Sequence, residues 1–294
     1  MRGDARLLAV VTMAAVLPSP SGGGLAGPPT NECATPRAEW VWCDDFEQDR
    51  LSSYFEYDSA GGRFVRAPGV GVAGSFGMRA RWDSAGQVGA GSLHLAIGKT
   101  PQAYVRAVDA GTRVYHELFW RVYLRLQPGW RGGGGDKLTR AMSLASTDWA
   151  EAMIAHVWSG KSPGPDQNYL ALDPASGADP GGRLRTTRYN DFDHLRWLGY
   201  TRGTAPIFAD STAGRWSCLE AHVRLNDPGQ SNGVFELWVN GTPDAQKASV
   251  NWVGAFTAYG LNAIFIENYW NAGAVRPEER YIDNFVVSTH RIGC

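Results

Sequence analysis

Lys137 closes an unusual run, "GWRGGGGDKLTR" (Gly129 to Arg140), in which four glycines lead through an acid to a lysine and, three residues on, an arginine. Glycine lets a backbone come close to a bound group, so cations on such a hinge point to an anionic ligand. Phosphate is the first candidate. A nucleotide-binding loop, however, needs G-x-x-x-x-G-K-[ST] between a strand and a helix, with main-chain amides around phosphate and a hydroxyl on magnesium. Here Asp136 directly precedes Lys137, Leu138 follows it, and the next residues read as strand. What remains is a plain surface turn, or a lysine and an arginine offered to some other anion.

Other side chains could complete a site. His156 in "MIAHVWSG", His222 in "EAHVRLN" and Tyr269 in "ENYWN" are of types that move protons. Arg121, Tyr123, Arg140 and Arg224 can reach hydroxyls and carboxylates, and Trp238 can stack on the apolar face of a pyranose ring. Each has a plainer reading. His156 sits between Ala155 and Val157 and fits a satisfied, partly buried histidine equally well, while His222 can simply pair with Glu220.

The elements that must position these residues are strands. Alternating runs recur between clusters of Gly, Pro, Asn and Asp: "YHELFWRVYLRL", "LTRAMSLAS", "EAMIAHVWSG", "NYLALD", "RWSCLEAHVRLN", "GVFELWVNG", "LNAIFIENYW" and "YIDNFVVSTH". Nothing carries a sustained helical period. The fold class is all-β, an antiparallel β-sandwich. "HVRLNDPGQSNGVFELWVNG" reads as a hairpin turning at Asp227-Pro228-Gly229 and Asn232-Gly233. Parity separates Leu118, Trp120, Val122, Leu124 and Leu126 from Glu117, Phe119, Arg121, Tyr123 and Arg125. It likewise turns Leu219, Ala221, Val223 and Leu225 inward, and separates Met153, Ala155 and Val157 from Ile154, His156 and Trp158. The polar parity mixes Arg, His, Glu, Tyr and Trp on several strands, which suits a groove for a sugar chain as well as an ordinary wet face.

Whole-chain features narrow the class. With 294 residues, 44% hydrophobic and a net charge of −1, the chain can bury a core and has no basic field for nucleic acid or an anionic membrane. Arg2 and Arg6 precede the apolar run Leu7 to Leu17, too short to span a bilayer, so residues 1–27 read as a signal peptide. Residues 28–294 form a single domain, without internal repeat or linker. Export makes Cys33, Cys43, Cys218 and Cys294 candidates for two disulfides with three possible connectivities; Cys33–Cys43 with Cys218–Cys294 is favoured. A secreted protein, extracellular or periplasmic, is expected.

"WCDDFE" near the start, "RWSCLEAHVRLN…GVFELWVNG" in the middle and "YIDNFVVSTHRIGC" at the end resemble the concanavalin A-like lectin/glucanase jelly rolls, and among them polysaccharide-lyase and heparinase-I-type sandwiches. The resemblance covers most of residues 40–294. It implies two curved antiparallel sheets with glycan across the concave one, and a "GGK" lysine delivered to that surface; here Asp136 is inserted before the lysine. It further implies β-elimination on an acidic, uronate-containing polysaccharide. One group neutralises the C6 carboxylate, a second removes the C5 proton, and a third protonates the leaving oxygen. Lys137, His156, His222 and Tyr269 are then the catalytic candidates, with Arg121, Tyr123, Arg140, Arg224 and Trp238 binding substrate. The alternatives are a lectin-like module without chemistry and a glycoside hydrolase, whose paired carboxylates are not evident among the scattered Glu117, Glu220, Glu236 and Glu267. Asp45, Glu47 and Asp283, on terminal strands expected to pair, could hold a structural Ca²⁺. A monomer is expected.

Overall fold

Alternation of apolar and polar side chains yields sixteen strands among the described residues, which are 28–132, 135–160 and 165–294 of the computed structural model. The first are β1 (Trp40–Asp44), β2 (Glu56–Asp58), β3 (Phe64–Ala67), β4 (Gly77–Trp82) and β5 (Gly89–Ala96). The middle of the chain supplies β6 (Glu117–Leu126), β7 (Asp136–Leu144), β8 (Glu151–Ser159), β9 (Leu170–Ser176), β10 (Arg196–Trp197) and β11 (Thr201–Arg202). The last are β12 (Trp216–Arg224), β13 (Gly233–Val239), β14 (Thr242–Val250), β15 (Ala263–Trp270) and β16 (Glu278–Ser288). The signal-like residues 1–27, and Gly133 and Gly134 of the glycine run, lie outside the described residues.

The strands form two antiparallel sheets packed as a jelly-roll β-sandwich. The first runs β14-β13-β12-β6-β16-β4-β3, with β1 also on β16; the second runs β10-β9-β8-β7-β15-β5-β2, with β11 also on β9. Each inward parity read from the sequence lies in the core between them. Leu118, Trp120, Val122 and Leu124 of β6 and Leu219, Ala221 and Val223 of β12 meet Ala141 of β7, Met153, Ala155 and Val157 of β8, and Ile264 and Ile266 of β15. A smaller apolar cluster lies on the opposite side of the second sheet. There Met142, Ile154, Ala175 and Phe265 are capped by Phe55, Trp149 and Tyr189. That face is therefore part core and part open.

The chain ends meet as expected. β1 pairs with β16, placing Cys43 opposite Val286 and Asp44 opposite Phe285. Cys33–Cys43 and Cys218–Cys294 are both bonded, the second tying the last residue to β12 across 76 positions. Glu220, wholly buried on β12, accepts the N–H groups of Ile292 (2.6 Å) and Gly293 (3.1 Å). Among the described residues no helix is long and apolar enough to cross a membrane.

Candidate active site

A bulge in β7 creates the site. Lys137 pairs with Trp158 of β8 and Thr139 with Val157, so Leu138 is an extra residue on its strand. Leu138 joins the core, and Thr139 also points inward, its Oγ1 accepting from Trp120 Nε1 at 3.0 Å. Lys137 and Arg140, three apart, would face opposite ways on a regular strand. The bulge turns both to the outer side of the second sheet.

There they lie in cross-strand rows. One row is Tyr269, Lys137 and Trp158; the next is Glu56, His94, Phe265, Arg140, His156 and Asp173. Lys137 Nζ sits 4.5 Å from the Tyr269 ring centroid and 5.7 Å from that of Trp158. Burial pushes its pKa down, opposed by the charge of Glu267. Arg140 is almost fully buried. It donates to Asn190 Oδ1 (2.9 Å), to Glu267 Oε1 (2.9 Å) and to the hydroxyl of Tyr189. Burial raises the pKa of Tyr189, so the phenol keeps its proton at neutral pH.

Behind this group stands Glu151, with no exposed surface. Its Oε1 accepts the main-chain N–H of Asn190 at 2.8 Å, and desolvation pushes its pKa up to about 7. Asn190 has φ 53°, a left-handed conformation that a short amide side chain tolerates. Glu151 and Arg140 thus hold the turn that presents Tyr189 and Asn190.

Two cavities share Lys137 and Phe192. One, of about 350 Å³, is lined by Asp58, His94, Lys137, Tyr189, Asn190, Glu267 and Tyr269 among others. The second, of about 300 Å³, is lined by Gly135, Lys137, Trp158, Ser159, Phe192, Trp197 and Asn271. Together they make a groove with Lys137 at its middle. Where the glycine run begins, two main-chain amides are already occupied. Arg131 N and Gly132 N donate to the buried carboxylate of Glu278 at 2.5 and 2.7 Å.

The sequence candidates divide between two faces. Lys137, Arg140, His156 and Tyr269 share the outer side of the second sheet. Lys137 and Tyr269 line the groove, whereas Arg140 lies beneath it. His156, also buried, bonds through Nδ1 to the Asp173 carbonyl at 2.9 Å and stacks on Trp158. Arg121, Tyr123, His222, Arg224 and Trp238 sit on the first sheet, so the expectation of one shared groove is corrected. Their polar parity faces away from the sandwich on the opposite side, and much of it is covered by the chain's own ends. Arg121 bonds Glu32 and the Gly293 carbonyl (3.0 Å), and Tyr123 bonds the Cys294 carbonyl (3.2 Å). His222 is held between Glu236 (2.7 Å) and Glu117 (2.8 Å) on the face of Phe119. Arg224 donates to the Asn232 carbonyl, and Arg291 covers Trp238.

The three acids considered for calcium come near one another but serve main-chain N–H groups. Asp45 accepts from Cys33 (3.1 Å) and Glu47 (3.4 Å), Glu47 from Phe76 (3.2 Å), and Asp283 from Val72 and Asn284 (2.7 Å each). Desolvation pushes Asp283 up to about 7. Among the described residues no group of three or more His, Cys, Asp or Glu is arranged to hold a metal ion.

No family model matches the sequence, and no curated protein matches it. Solved structures do. An endo-β-1,4-glucuronan lyase from the fungus Trichoderma reesei superposes with a TM-score of 0.55 at 13% identity, over 85% of this chain and 96% of the other. A marine alginate lyase from Aplysia kurodai gives 0.57 at 12%, over 86% and 100%. An alginate lyase from Chlorella virus gives 0.52 at 12%, over 78% and 89%. At these identities the likeness is one of fold: the chain has the lyase-type jelly roll.

Proposed function

We propose that the chain is a secreted polysaccharide lyase that cleaves an acidic, uronate-containing polymer by β-elimination in the groove of the second sheet. The observation that carries this reading is the β7 bulge, which gathers Lys137 and Arg140 on one face beside Tyr189 and Tyr269. A lysine with a pKa lowered by burial suits a general base, and a tyrosine that keeps its proton suits a general acid. Lys137 takes the C5 proton of the uronate. The C5–H electron pair becomes the C4=C5 double bond, the C4–O bond breaks, and the leaving oxygen takes the proton of Tyr189. The amide of Asn190 and the ring of His94, both lining the groove, face the C6 carboxylate and stabilise the charge that develops there. Arg140 acts through others by holding Tyr189 and Asn190. The signal-like N-terminus and two disulfides support secretion.

The test is direct. Mature protein is incubated with glucuronan, alginate, hyaluronan, chondroitin, heparin and pectin, and the ultraviolet absorbance of an unsaturated uronate is followed. The expected result is a rise on at least one polymer that Lys137→Ala abolishes. Flat absorbance with release of reducing ends would replace the elimination with hydrolysis; binding without either would leave a lectin-like module.

A further inference from the structure

His94 repeats half of an arrangement that the other sheet completes. On the first sheet His222 lies between two carboxylates, Glu236 at Nδ1 (2.7 Å) and Glu117 at Nε2 (2.8 Å). Its ring rests on Phe119, with 4.0 Å between centroids and 6° between planes. On the second sheet Nδ1 of His94 meets Glu56 at 2.9 Å, and the ring rests on Phe265 at 3.6 Å and 9°. Glu56 stands opposite His94 in the pairing of β2 with β5, and its other oxygen accepts the hydroxyl of Tyr104 at 2.8 Å. Among the described residues no second carboxylate meets the Nε2 of His94. The ring instead lines the cavity that it shares with Lys137.

We propose that Glu56 is a positioning residue that keeps His94 charged, so that its Nε2–H is offered to the C6 carboxylate of the uronate; the inference rests on the lyase reading above. Glu56 is held below the usual carboxylate range, first by its bond to His94, so it is ionised and only accepts. The proton of that bond therefore belongs to Nδ1. A neutral ring with its proton on Nδ1 would turn a lone pair, not a donor, toward an anion. The charge of Glu56 favours the imidazolium, which donates from both nitrogens. The other ionisable groups of the cavity do not replace this pair. Glu267 is taken by Arg140 (2.9 Å), Asp58 Oδ1 accepts the Ala60 N–H (2.7 Å), and Tyr189 keeps its proton. Lys137, as the base, is neutral before it acts. With the uronate in place, His94 lies between two carboxylates as His222 does. Negative charge on the C6 carboxylate grows as the C5 proton leaves. A fixed cation there thus stabilises the transition state more than the bound substrate.

Glu56→Gln tests this, because it keeps an acceptor for Nδ1 and removes the charge. Glu56 is partly open to solvent, so the substitution leaves the core untouched. On the polymer that is cleaved, kcat should fall about 10- to 100-fold while KM rises less than about threefold, the pattern of an interaction made chiefly in the transition state. Nitrogen-15 NMR of the imidazoles gives a second readout, with His94→Gln identifying the signals of this ring. At about pH 6.5, the ordinary midpoint of a histidine, Glu56→Gln should hold clearly less doubly protonated His94 than wild type. A purely structural role for Glu56 would not move that fraction. An unchanged kcat, or an unchanged fraction of imidazolium, would overturn the assignment while leaving the lyase intact. Should no polymer give an unsaturated product, the lyase reading fails and the NMR comparison decides alone. A fraction that falls in Glu56→Gln sustains Glu56 as the residue that charges His94; one that does not ends it.

Discussion

Arg280 of β16 donates from Nη1 to both carboxylate oxygens of Asp136 in β7, at 2.8 and 2.9 Å, joining the two sheets directly beneath Lys137. Neither residue has appreciable exposure. Arg280 also donates to Asn268 Oδ1 (2.8 Å) and to the carbonyls of Lys137 (2.8 Å) and Glu267. The acid that separates this chain from a plain "GGK" pattern is thus a brace, fixing the backbone from which Lys137 projects. Burial raises the pKa of Asp136 and the Arg280 guanidinium opposes that rise.

Removing one partner strands the other charge in the core. Arg280→Met is expected to lower stability by about 3–5 kcal/mol, and Asp136→Leu by a similar amount. The double variant should lose clearly less than the two single losses added together, because no lone charge remains. Urea denaturation of all four proteins measures this. Strictly additive losses would mean that the pair is not coupled.

Lys137 and Tyr189 give the catalytic prediction. Lys137→Ala and Tyr189→Phe should each reduce kcat by about 10²–10⁴-fold with the fold retained, as for loss of a general base or acid. His222→Ala and Arg224→Ala, on the other sheet, should stay within about threefold of wild type in kcat/KM. Initial rates of double-bond formation decide. A large loss in His222→Ala with an unchanged circular dichroism spectrum would move the chemistry to the first sheet.

That division shows where sequence reasoning reaches its limit. The period-two pattern identified β6–β9, β12, β13, β15 and β16 and, in β6 and β12, the side that meets the core. It could not say which sheet's outer face stays open, because "ELFWRVYLR" and "DKLTRAMSL" both interleave cationic with apolar residues. What closes the first is the docking of residues 28–37 and 290–294 over Arg121 and Tyr123, a long-range event. The bulge at Leu138 was also illegible, since an extra residue leaves no mark on a strand that mixes polar and apolar residues and is buried on both sides. Tyr189 and Asn190 lie in "TTRYNDFD", a segment without period. The signal there was Asn-Asp turn chemistry beside a tyrosine, and its position over Arg140 depends on Glu151, 39 residues away.

Asn190 does two things that substitutions can separate. Its left-handed φ favours Asn or Gly, and its Oδ1 accepts from Arg140 Nη1. Asn190→Ala should cost roughly 1–2 kcal/mol in stability, because alanine lacks the short polar side chain that offsets the left-handed conformation in asparagine. Asn190→Gly should remain near wild type in stability and still lose about tenfold in kcat, equivalent to roughly 1.4 kcal/mol of transition-state stabilisation. Thermal melts beside kinetics distinguish the two. Full activity in Asn190→Gly would make the residue a turn former only.

Glu151 supplies a pH dependence. Its folded pKa of about 7 lies above the ordinary carboxyl value, chiefly through desolvation, so the folded state binds its proton more tightly than the unfolded chain does. Stability from this group is then fully present below the unfolded value near 4.5 and is lost as pH rises through about 7. At roughly 1.4 kcal/mol per pKa unit, the change between pH 5 and pH 8 is on the order of 2–3 kcal/mol. Glu151→Gln keeps an oxygen for the Asn190 N–H and cannot ionise. Its unfolding free energy should therefore fall less steeply than that of wild type over this range, and the two curves should separate most above pH 7. Urea titrations at pH 5, 6, 7 and 8 measure the difference. Parallel curves would show that Glu151 is ionised throughout and that Arg140, rather than a proton, neutralises it.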